Sequence, residues 1–409
     1  MKKNFAIVGA GISGLVSAYF LAKKGHKVSI YESSNKVGGI TNDFISEGNQ
    51  FFSGCHQLLP SEWLKEINKK NSLKLSNFKV HYANFTELSN EDPSYDWKFA
   101  LPTFNKILFK KNQKSKNKNL SDRINLYPKR ISTFLNNWLK KIGTDFDAKL
   151  INSDSSIGLG ISKIAIKNNF KKIYELKKKN KLLDSIFAIS NIDRGKKRLN
   201  GLIPSRGYSF SFDKIEKILK SNNVIINKST PVKPIWKKKN LHLFSKGKEM
   251  SFDKIIWTGN PTALIKTYGF PKLDSKKIDI KIFCGDLKSE IRDCFYIQVF
   301  SLKTNITRMF FYSINNQPKF TIEAFDNFNN ENIINEAKTI LKKLRLKIIF
   351  KKKIQTLQQK RYSLVTLKDQ EIMKKFYKKA KNSNLIHPDW KKYSREEKIN
   401  EILFKIRPI

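Results

Sequence analysis

The chain has 409 residues, with 80 Lys and Arg against 35 Asp and Glu, and a formal net charge of +45. A hydrophobic content of 40% with 12% aromatic residues excludes a disordered chain and predicts a globular one. Its three cysteines are too few and too scattered for a disulfide framework. The chain has no apolar run of about 18 residues, so we expect no transmembrane helix.

The first predicted elements lie within residues 5–42. A short apolar run, Phe5 to Val8, precedes the glycine-rich turn Gly9–Gly14. A helical pattern follows, and then a second apolar run that ends in Glu32. This order of strand, turn, helix, strand and acidic residue is typical of a dinucleotide-binding site.

Each glycine of this turn has a physical role in such a site. Gly9 permits the tight turn, Gly11 lets the backbone approach a pyrophosphate, and Gly14 lets the helix pack closely on the strand. The pyrophosphate then lies at the positive end of the helix dipole. Glu32 follows Gly14 by 18 residues, close to the spacing of about 20 for a ribose-binding carboxylate.

The residues after Glu32 indicate which dinucleotide is bound. Val37-Gly38-Gly39-Ile40-Thr41 resembles the extended flavoprotein fingerprint, and Gly48 to His56 is similar to the next segment of the same proteins. The chain thus resembles the FAD-dependent amine oxidase, protoporphyrinogen oxidase and phytoene desaturase group, with UDP-galactopyranose mutase as a more distant relative. The resemblance implies FAD as the cofactor.

Two later segments fit the same resemblance. Pro204 to Tyr208 precedes a helical pattern and a strand, although Tyr208 replaces the usual second glycine. After that strand the resemblance implies that the backbone at Val232 contacts adenine. The run Phe252–Pro261 is similar to the strand and turn that return to the cofactor.

The resemblance assigns cofactor contacts but no catalytic residue, because in this group the flavin carries the chemistry. The implied cofactor-binding residues are Gly9, Ala10, Gly11, Ile12, Ser13, Gly14, Glu32, Ser33, Gly38, Gly39, Ile40, Thr41, His56, Val232, Thr258, Gly259 and Pro261. His56 could bond a cofactor phosphate or a substrate, or satisfy backbone groups. Arg206 is either an anion contact or a solvated turn residue. The other four histidines lack metal-ligand spacing, so we expect no metal site.

The resemblance is weaker at the C-terminus. The group closes with a strand end and a glycine-containing turn before a helix beneath the flavin. Here Asn384 to Trp390 has no glycine, and a short helical run follows, from Ser394 to Ile406. A non-catalytic member of the group therefore stays an alternative.

The predicted fold is α/β, with a Rossmann-like FAD-binding domain assembled from discontinuous segments and an inserted α+β substrate domain. We assign residues 1–75, 200–265 and 361–409 to the FAD-binding domain, and residues 76–199 and 266–360 to the substrate domain. The basic run 106–118 is predicted to be a solvated loop, and residues 131–142 a helix that packs on the core or lies at a membrane interface.

The predicted function is an FAD-dependent oxidoreductase that removes hydride from a C–N or C–C bond of a small or lipid-like substrate. A flavin-dependent nucleotide-sugar mutase is the alternative. We expect a small-molecule substrate, with anionic and lipid-linked ones open, and no nucleic-acid partner. We expect a cytoplasmic location, with peripheral membrane contact through the basic surface left open.

Overall fold

The structure is a computed structural model, and it describes most of the chain. The described residues are 1–69, 72–79, 81–86, 118–127, 129–143, 146–161, 164, 175, 178–179, 200–291, 294–326, 332–392 and 394–409. The predicted basic loop 106–118, except Lys118, lies outside this range.

The described residues form both strands and α-helices. The strands, β1 to β18 in chain order, are Asn4–Val8, Lys27–Tyr31, Asp43–Ser46, Asn49–Phe52, Leu75–Lys79, His81–Thr86, Asn200–Pro204, Ile225–Asn227, Lys233–Lys237, Asn240–Ser245, Lys248–Met250, Lys254–Trp257, Lys276–Leu287, Phe295–Phe300, Ile306–Ile314, Gln317–Phe325, Phe350–Leu364 and Leu385–Ile386. The α-helices, α1 to α10, are Ile12–Lys23, Glu62–Ile67, Leu120–Ile124, Lys129–Leu139, Ser155–Gly158, Gly207–Ser221, Thr262–Thr267, Ile333–Lys343, Leu367–Ala380 and Arg395–Ile406.

The first sheet is parallel and has the strand order β18-β12-β1-β2-β8. Its strands come from three separated parts of the chain, as the predicted discontinuous Rossmann-like fold requires. Val8, at the carboxyl end of β1, lies beside Tyr31 of β2 and Trp257 of β12. Since all strands run the same way, their carboxyl ends meet at one edge, where ligands bind in such sheets.

Helices cover both faces of this sheet. Side chains alternate along β1, so that Phe5 and Ile7 pack against α1, α6 and α10, while Ala6 and Val8 pack against α7, α9 and the small sheet β9–β11. Burial on both faces explains why β1 is a continuous apolar run instead of an alternating one.

The second sheet has the order β17-β13-β16-β15-β14-β6 and is antiparallel except where β6 pairs with β14. One face packs beneath α8. Tyr296, Phe310 and Tyr312 of the other face join the core of the parallel-sheet part. β17 is the edge strand and crosses the boundary predicted at residue 361, and its exposed lysines, such as Lys352, oppose edge-to-edge pairing.

The helix predicted over residues 131–142 forms as α4 followed by a short 3-10 turn. Its apolar side chains face inward, and the ring of Trp138, 1% exposed, packs edge-on against Phe300 and at a tilt on Phe325. This packing on the core uses the apolar face that an interfacial helix would present to lipid.

Candidate functional site

The glycine turn Gly9–Gly14 connects β1 to α1. A Cβ on Gly9, whose φ is +99°, would lie 2.8 Å from Oγ1 of Thr258, and one on Gly14 would lie 2.0 Å from the carbonyl oxygen of Gly9. Gly11 is different, because no described heavy atom outside its immediate neighbours lies within 4 Å of its Cβ position. Packing therefore requires Gly9 and Gly14, whereas Gly11 leaves an open face at the positive end of α1 that fits a pyrophosphate.

The other residues of this turn complete its geometry. The N–H of Ala10 donates to Oε2 of Glu32 at 2.7 Å. Ile12 is buried in the core, and the carbonyl oxygen of Ser13 accepts a hydrogen bond from the hydroxyl of Ser17. The turn is thus held to β2 through Glu32 and to the core through Ile12.

The second predicted turn, Gly38–Thr41, rests directly on the first. The N–H of Gly38 donates to the carbonyl oxygen of Ala10 at 2.8 Å, and a Cβ on Gly39 would lie 3.4 Å from Cα of Gly11. Gly38 has a φ of +105°, and a Cβ there would lie 2.4 Å from the ring of Phe212. Gly38 is thus required by its left-handed backbone and by the close approach of the Phe212 ring, whereas Gly39 is favoured mainly by its own φ of +60°.

Glu32 lies at the end of β2 and organises the loop that follows. Its Oε1 accepts hydrogen bonds from the N–H of Ser34 at 2.8 Å and from the hydroxyls of Ser33 and Ser34. Its own carbonyl oxygen accepts from the N–H of Thr230, two residues before Val232. A carboxylate fixed in this way at the sheet edge suits the hydroxyls of a ribose.

The Thr258 segment closes the same edge. The N–H and hydroxyl of Thr258 both donate to the carbonyl oxygen of Val8, at 3.0 and 2.9 Å. Gly259 follows, and Pro261 precedes the first turn of α7. Val232 is partly buried against the core beneath β12. The edge therefore brings together the two glycine turns, Glu32 and Thr258, while Val232 and Pro261 flank them.

The start of α6 shows why Tyr208 can replace a glycine. Gly207 has a φ of +85° and contacts Gln50, so it provides the tight turn alone. The Tyr208 ring is buried, edge-on to Phe52 at a centroid distance of 5.0 Å. Arg206 is exposed and lies over the ring of Phe210, as expected of a solvated turn residue.

A second group of polar side chains was not predicted from the sequence, apart from one member, His56. We call it the Glu323 cluster: Glu323, Arg361, Arg308, Tyr362 and His56. The carboxylate of Glu323 is fully buried and forms an ion pair with Nη1 of Arg361 at 2.9 Å. It also accepts the hydroxyl of Tyr362 and lies 3.7 Å from Nη1 of Arg308. The cluster joins strands β15, β16 and β17 to the segment after β4.

The cluster has a net positive charge. The Arg361 and Arg308 guanidiniums hold the pKa of Glu323 at about 2 against the opposing effect of burial, so the carboxylate is ionised. Arg308 stacks on the ring of Tyr362 at 4.5 Å, and its Nη2 donates to the carbonyl oxygen of Gly158 at 2.7 Å. The Nε of Arg308 is buried without a hydrogen-bond partner among the described residues.

Two signals in the sequence could have indicated this cluster. Arg308 interrupts the apolar run of β15, and Glu323 interrupts that of β16. A charged residue at a core position of a strand requires a partner. Neither the partner nor the left-handed backbone of Tyr362, with a φ of +50°, can be read from the sequence.

The C-terminal helix α10 places a further cation, Arg395, near His56 of the Glu323 cluster. Lys24, just after α1, donates to the carbonyl oxygens of Ile406 and Arg407 at the C-terminal end of α10, and the two helices pack side by side. Because the C-terminal ends of α1 and α10 lie together and both helices have 12 residues, their N-termini both point toward the ligand edge. Arg395, at the start of α10, donates through Nη2 to the carbonyl oxygen of Gln57, while its buried Nη1 has no partner in the described structure.

The C-terminal strand forms even though its glycines are missing. β18 pairs with β12, and after it His387 stacks against the rings of Tyr377 and Trp390, at centroid distances of 4.7 and 4.6 Å. Burial lowers the pKa of His387 to about 4, so the ring is neutral. Aromatic packing thus occupies the position where the resembled group has glycine.

Two features are absent from the described residues: a membrane-spanning helix and a metal site. None of their helices combines the length and the apolar character needed to cross a bilayer. They also contain no group of three or more His, Cys, Asp or Glu side chains arranged to hold a metal ion.

Comparison with known proteins gives sequence similarity over part of the chain. The family described as "NAD(P)-binding Rossmann-like domain" matches residues 7–69. An L-amino acid oxidase from Bothrops pictus is 35% identical over 85 residues, which is 20% of this chain and 17% of the oxidase. A zeta-carotene desaturase from Solanum lycopersicum is 31% identical over 107 residues, 24% of this chain and 18% of the desaturase. The matched segments span less than a fifth of these relatives.

Comparison with solved structures covers the whole chain. A reduced UDP-galactopyranose mutase aligns with a TM-score of 0.72 at 12% identity, over 100% of this chain and 96% of the mutase. A putative protoporphyrinogen oxidase from Exiguobacterium aligns with a TM-score of 0.58 at 12% identity, over 100% of this chain and 98% of the oxidase. The predicted resemblance to this flavoprotein group is therefore confirmed, by sequence for the N-terminal nucleotide-binding segment and by fold for the whole chain.

Proposed function

We propose that the protein is an FAD-dependent oxidoreductase that removes hydride from a C–N or C–C bond of a small or lipid-like substrate. The observation that carries the proposal is the open face of Gly11, with the Gly38–Thr41 turn packed beside it, at the carboxyl edge of the parallel sheet. The sequence similarity to an amino acid oxidase and a desaturase, over 20% and 24% of this chain, supports the oxidoreductase class.

The described residues fit the nucleotide half of FAD. The N-terminus of α1, with the open face of Gly11, would hold the pyrophosphate, and Glu32 would accept the ribose hydroxyls. FAD, when bound, supplies the hydride acceptor. The protein supplies orientation and charge: the N-terminus of α10 and the buried Nη1 of Arg395 both favour negative charge near the start of this helix.

The Glu323 cluster supports an anionic small-molecule substrate. Its two guanidiniums face one carboxylate, and the buried Nε of Arg308 is a donor with no partner among the described residues. A buried donor without an acceptor is costly, and a carboxylate or phosphate is the acceptor that a guanidinium matches. The charged groups of the cluster would thus hold the anionic group of the substrate. The bond that reacts would lie in another, uncharged part of the same molecule.

Absorbance spectroscopy tests the cofactor directly. The purified protein should be yellow, or should become so with added FAD, with a flavin absorbance band at about 450 nm. Gly11→Trp fills the open face and should abolish FAD binding, whereas Ser221→Trp, at the exposed end of α6, is the matched control and should retain it. A folded wild-type protein that does not bind FAD would contradict the proposal.

A nucleotide-sugar mutase is the second candidate. It is favoured by the Nε of Arg308, which has no partner in the described part of the chain and suits a diphosphate as well as a carboxylate. The whole-chain alignment with UDP-galactopyranose mutase is consistent with it but reports the fold alone. Oxygen consumption with candidate amines or amino acids, against conversion of UDP-sugars only after reduction by dithionite, separates the two. A non-catalytic FAD-binding protein would be yellow and inactive in both assays.

A further inference from the structure

A buried chain of hydrogen bonds connects the Gly38–Thr41 turn to the second sheet through Arg361. This side chain is 5% exposed, and all three guanidinium nitrogens have partners. Its Nε donates to Gln359 at 2.8 Å and its Nη1 to Glu323 at 2.9 Å. Its Nη2 donates to the carbonyl oxygen of Ser53 and lies 2.9 Å from Nε2 of His56.

The contact between Arg361 and His56 determines the tautomer of the histidine. A guanidinium can only donate hydrogen bonds, so Nε2 of His56 must accept and carries no proton. A neutral ring then carries its proton on Nδ1. The ring also hydrogen-bonds to the backbone of Ile40, whose carbonyl oxygen accepts the hydroxyl of Ser53. Both ring nitrogens are therefore in use.

We propose that Arg361 is a positioning residue that holds His56 as the neutral Nδ1–H tautomer and thereby fixes Ser53–His56 against Ile40. Through Ile40, this contact sets the position of the Gly38–Thr41 turn on Gly11. His56 acts as a link between the nucleotide site and the Glu323 cluster, because neither ring nitrogen is available to exchange a proton with a substrate.

The glycine between Ser53 and His56 fits this role. A Cβ on Gly54 would lie 2.2 Å from Nη1 and 2.4 Å from Nη2 of Arg361. Any side chain at Gly54 would therefore displace the guanidinium from the segment that it holds. Gly48, in the hairpin between β3 and β4, is a matched glycine because no described atom lies within 4 Å of its Cβ position.

The charges around His56 act in the direction that keeps it neutral. Burial lowers its pKa, and the guanidiniums of Arg361 on β17 and Arg395 on α10 lower it further, while the carboxylate of Glu323 on β16 and the hydrogen bond to the backbone of Ile40 raise it. A second proton on the ring would also remove the acceptor that Arg361 uses. The tautomer should therefore persist throughout the pH range in which an ordinary histidine titrates.

Nitrogen-15 NMR of the histidine rings in the full-length protein, with and without FAD, tests the assignment. His56 is identified by the loss of its signals in His56→Gln. We expect Nδ1 to show a protonated shift and Nε2 an unprotonated one, unchanged from about pH 5 to about pH 8. Titration of His56 near pH 6.5, or a proton on Nε2, would overturn the tautomer assignment whether or not FAD binds.

Variants test the positioning role. Arg361→Met should let His56 titrate and should weaken FAD binding about tenfold, and Arg361→Lys, which keeps one donor, should restore part of both. Gly54→Ala should act like Arg361→Met, and Gly48→Ala should leave His56 and FAD binding unchanged. Unaltered His56 signals and FAD affinity in both Arg361→Met and Gly54→Ala would overturn the role, and if Arg361→Met does not fold, Gly54→Ala decides.

If the wild-type chain binds no FAD, the proposed function fails. The NMR result for His56 then still decides the tautomer, and its response to Arg361→Met and Gly54→Ala decides whether Arg361 holds the ring.

Discussion

The two halves of the candidate site are built from different parts of the chain. The nucleotide half consists of backbone turns, Gly9–Gly14 and Gly38–Thr41, that close within 42 residues of sequence. The Glu323 cluster consists of buried and partly buried side chains from four segments, and the N–H of Cys55 donates to Glu323 across a sequence separation of 268. Backbone turns use glycines, which the sequence displays, whereas buried charges depend on partners that only folding brings together.

The difference predicts that substitutions in the Glu323 cluster affect stability most. Glu323→Ala leaves two buried guanidiniums without their carboxylate, and we expect the free energy of unfolding to fall by about 3–5 kcal/mol. Urea denaturation followed by circular dichroism measures the change. Glu371→Ala, an exposed carboxylate on α9, is the control and should change stability little. A loss below about 1 kcal/mol in Glu323→Ala would contradict the assigned burial of this charge.

The pH dependence of stability should report the same carboxylate. Its pKa is about 2 in the folded protein against an ordinary 4.5, so its contribution is complete above pH 4.5 and is lost as the pH falls toward 2. The shift corresponds to about 3 kcal/mol. Unfolding free energies measured by urea across this window should fall less steeply in Glu323→Gln than in the wild type. Equal slopes would show that Glu323 does not titrate with a lowered pKa.

Within the glycine turn, Gly14 and Gly11 should separate stability from binding. A Cβ on Gly14 would meet the backbone of Gly9, so Gly14→Ala should lower the free energy of unfolding by about 3 kcal/mol. Gly11→Ala meets no described atom and should change stability by less than about 0.5 kcal/mol while weakening FAD binding. Denaturation and fluorescence titration with FAD measure the two effects. If both variants lose stability equally, the open face at Gly11 is not a ligand surface.

The smallest expected effect is at Glu32. Glu32→Gln keeps an acceptor for the N–H of Ala10 but loses the charge, so we expect FAD affinity to fall about tenfold and stability to change by less than about 1 kcal/mol. Asp253→Asn, whose carboxylate accepts the N–H of Asn4 at the opposite end of β1, is the matched control. An equal loss of FAD affinity in both variants would mean that Glu32 has no direct role at the ribose.

The sequence by itself determined the nucleotide half of the site. Gly9, Gly14, Gly38 and Glu32 were predicted because their roles depend on local turns and on an order of elements that recurs in dinucleotide sites. The parallel sheet and its discontinuous assembly followed from the same resemblance. Local geometry can be predicted from the sequence because it depends on residues that are neighbours in the chain.

Only the tertiary structure decided the rest. The ionised Glu323, the Arg308 donor that has no partner among the described residues and the contact of Arg361 with His56 arise where β15, β16 and β17 meet the segment after β4. The missing C-terminal glycines did not prevent β18 and α10 from forming, because pairing with β12 and packing on α1 stabilise them. A sequence pattern records which faces are apolar, but the partner of a buried charge is set by sheet register and by contacts across hundreds of residues.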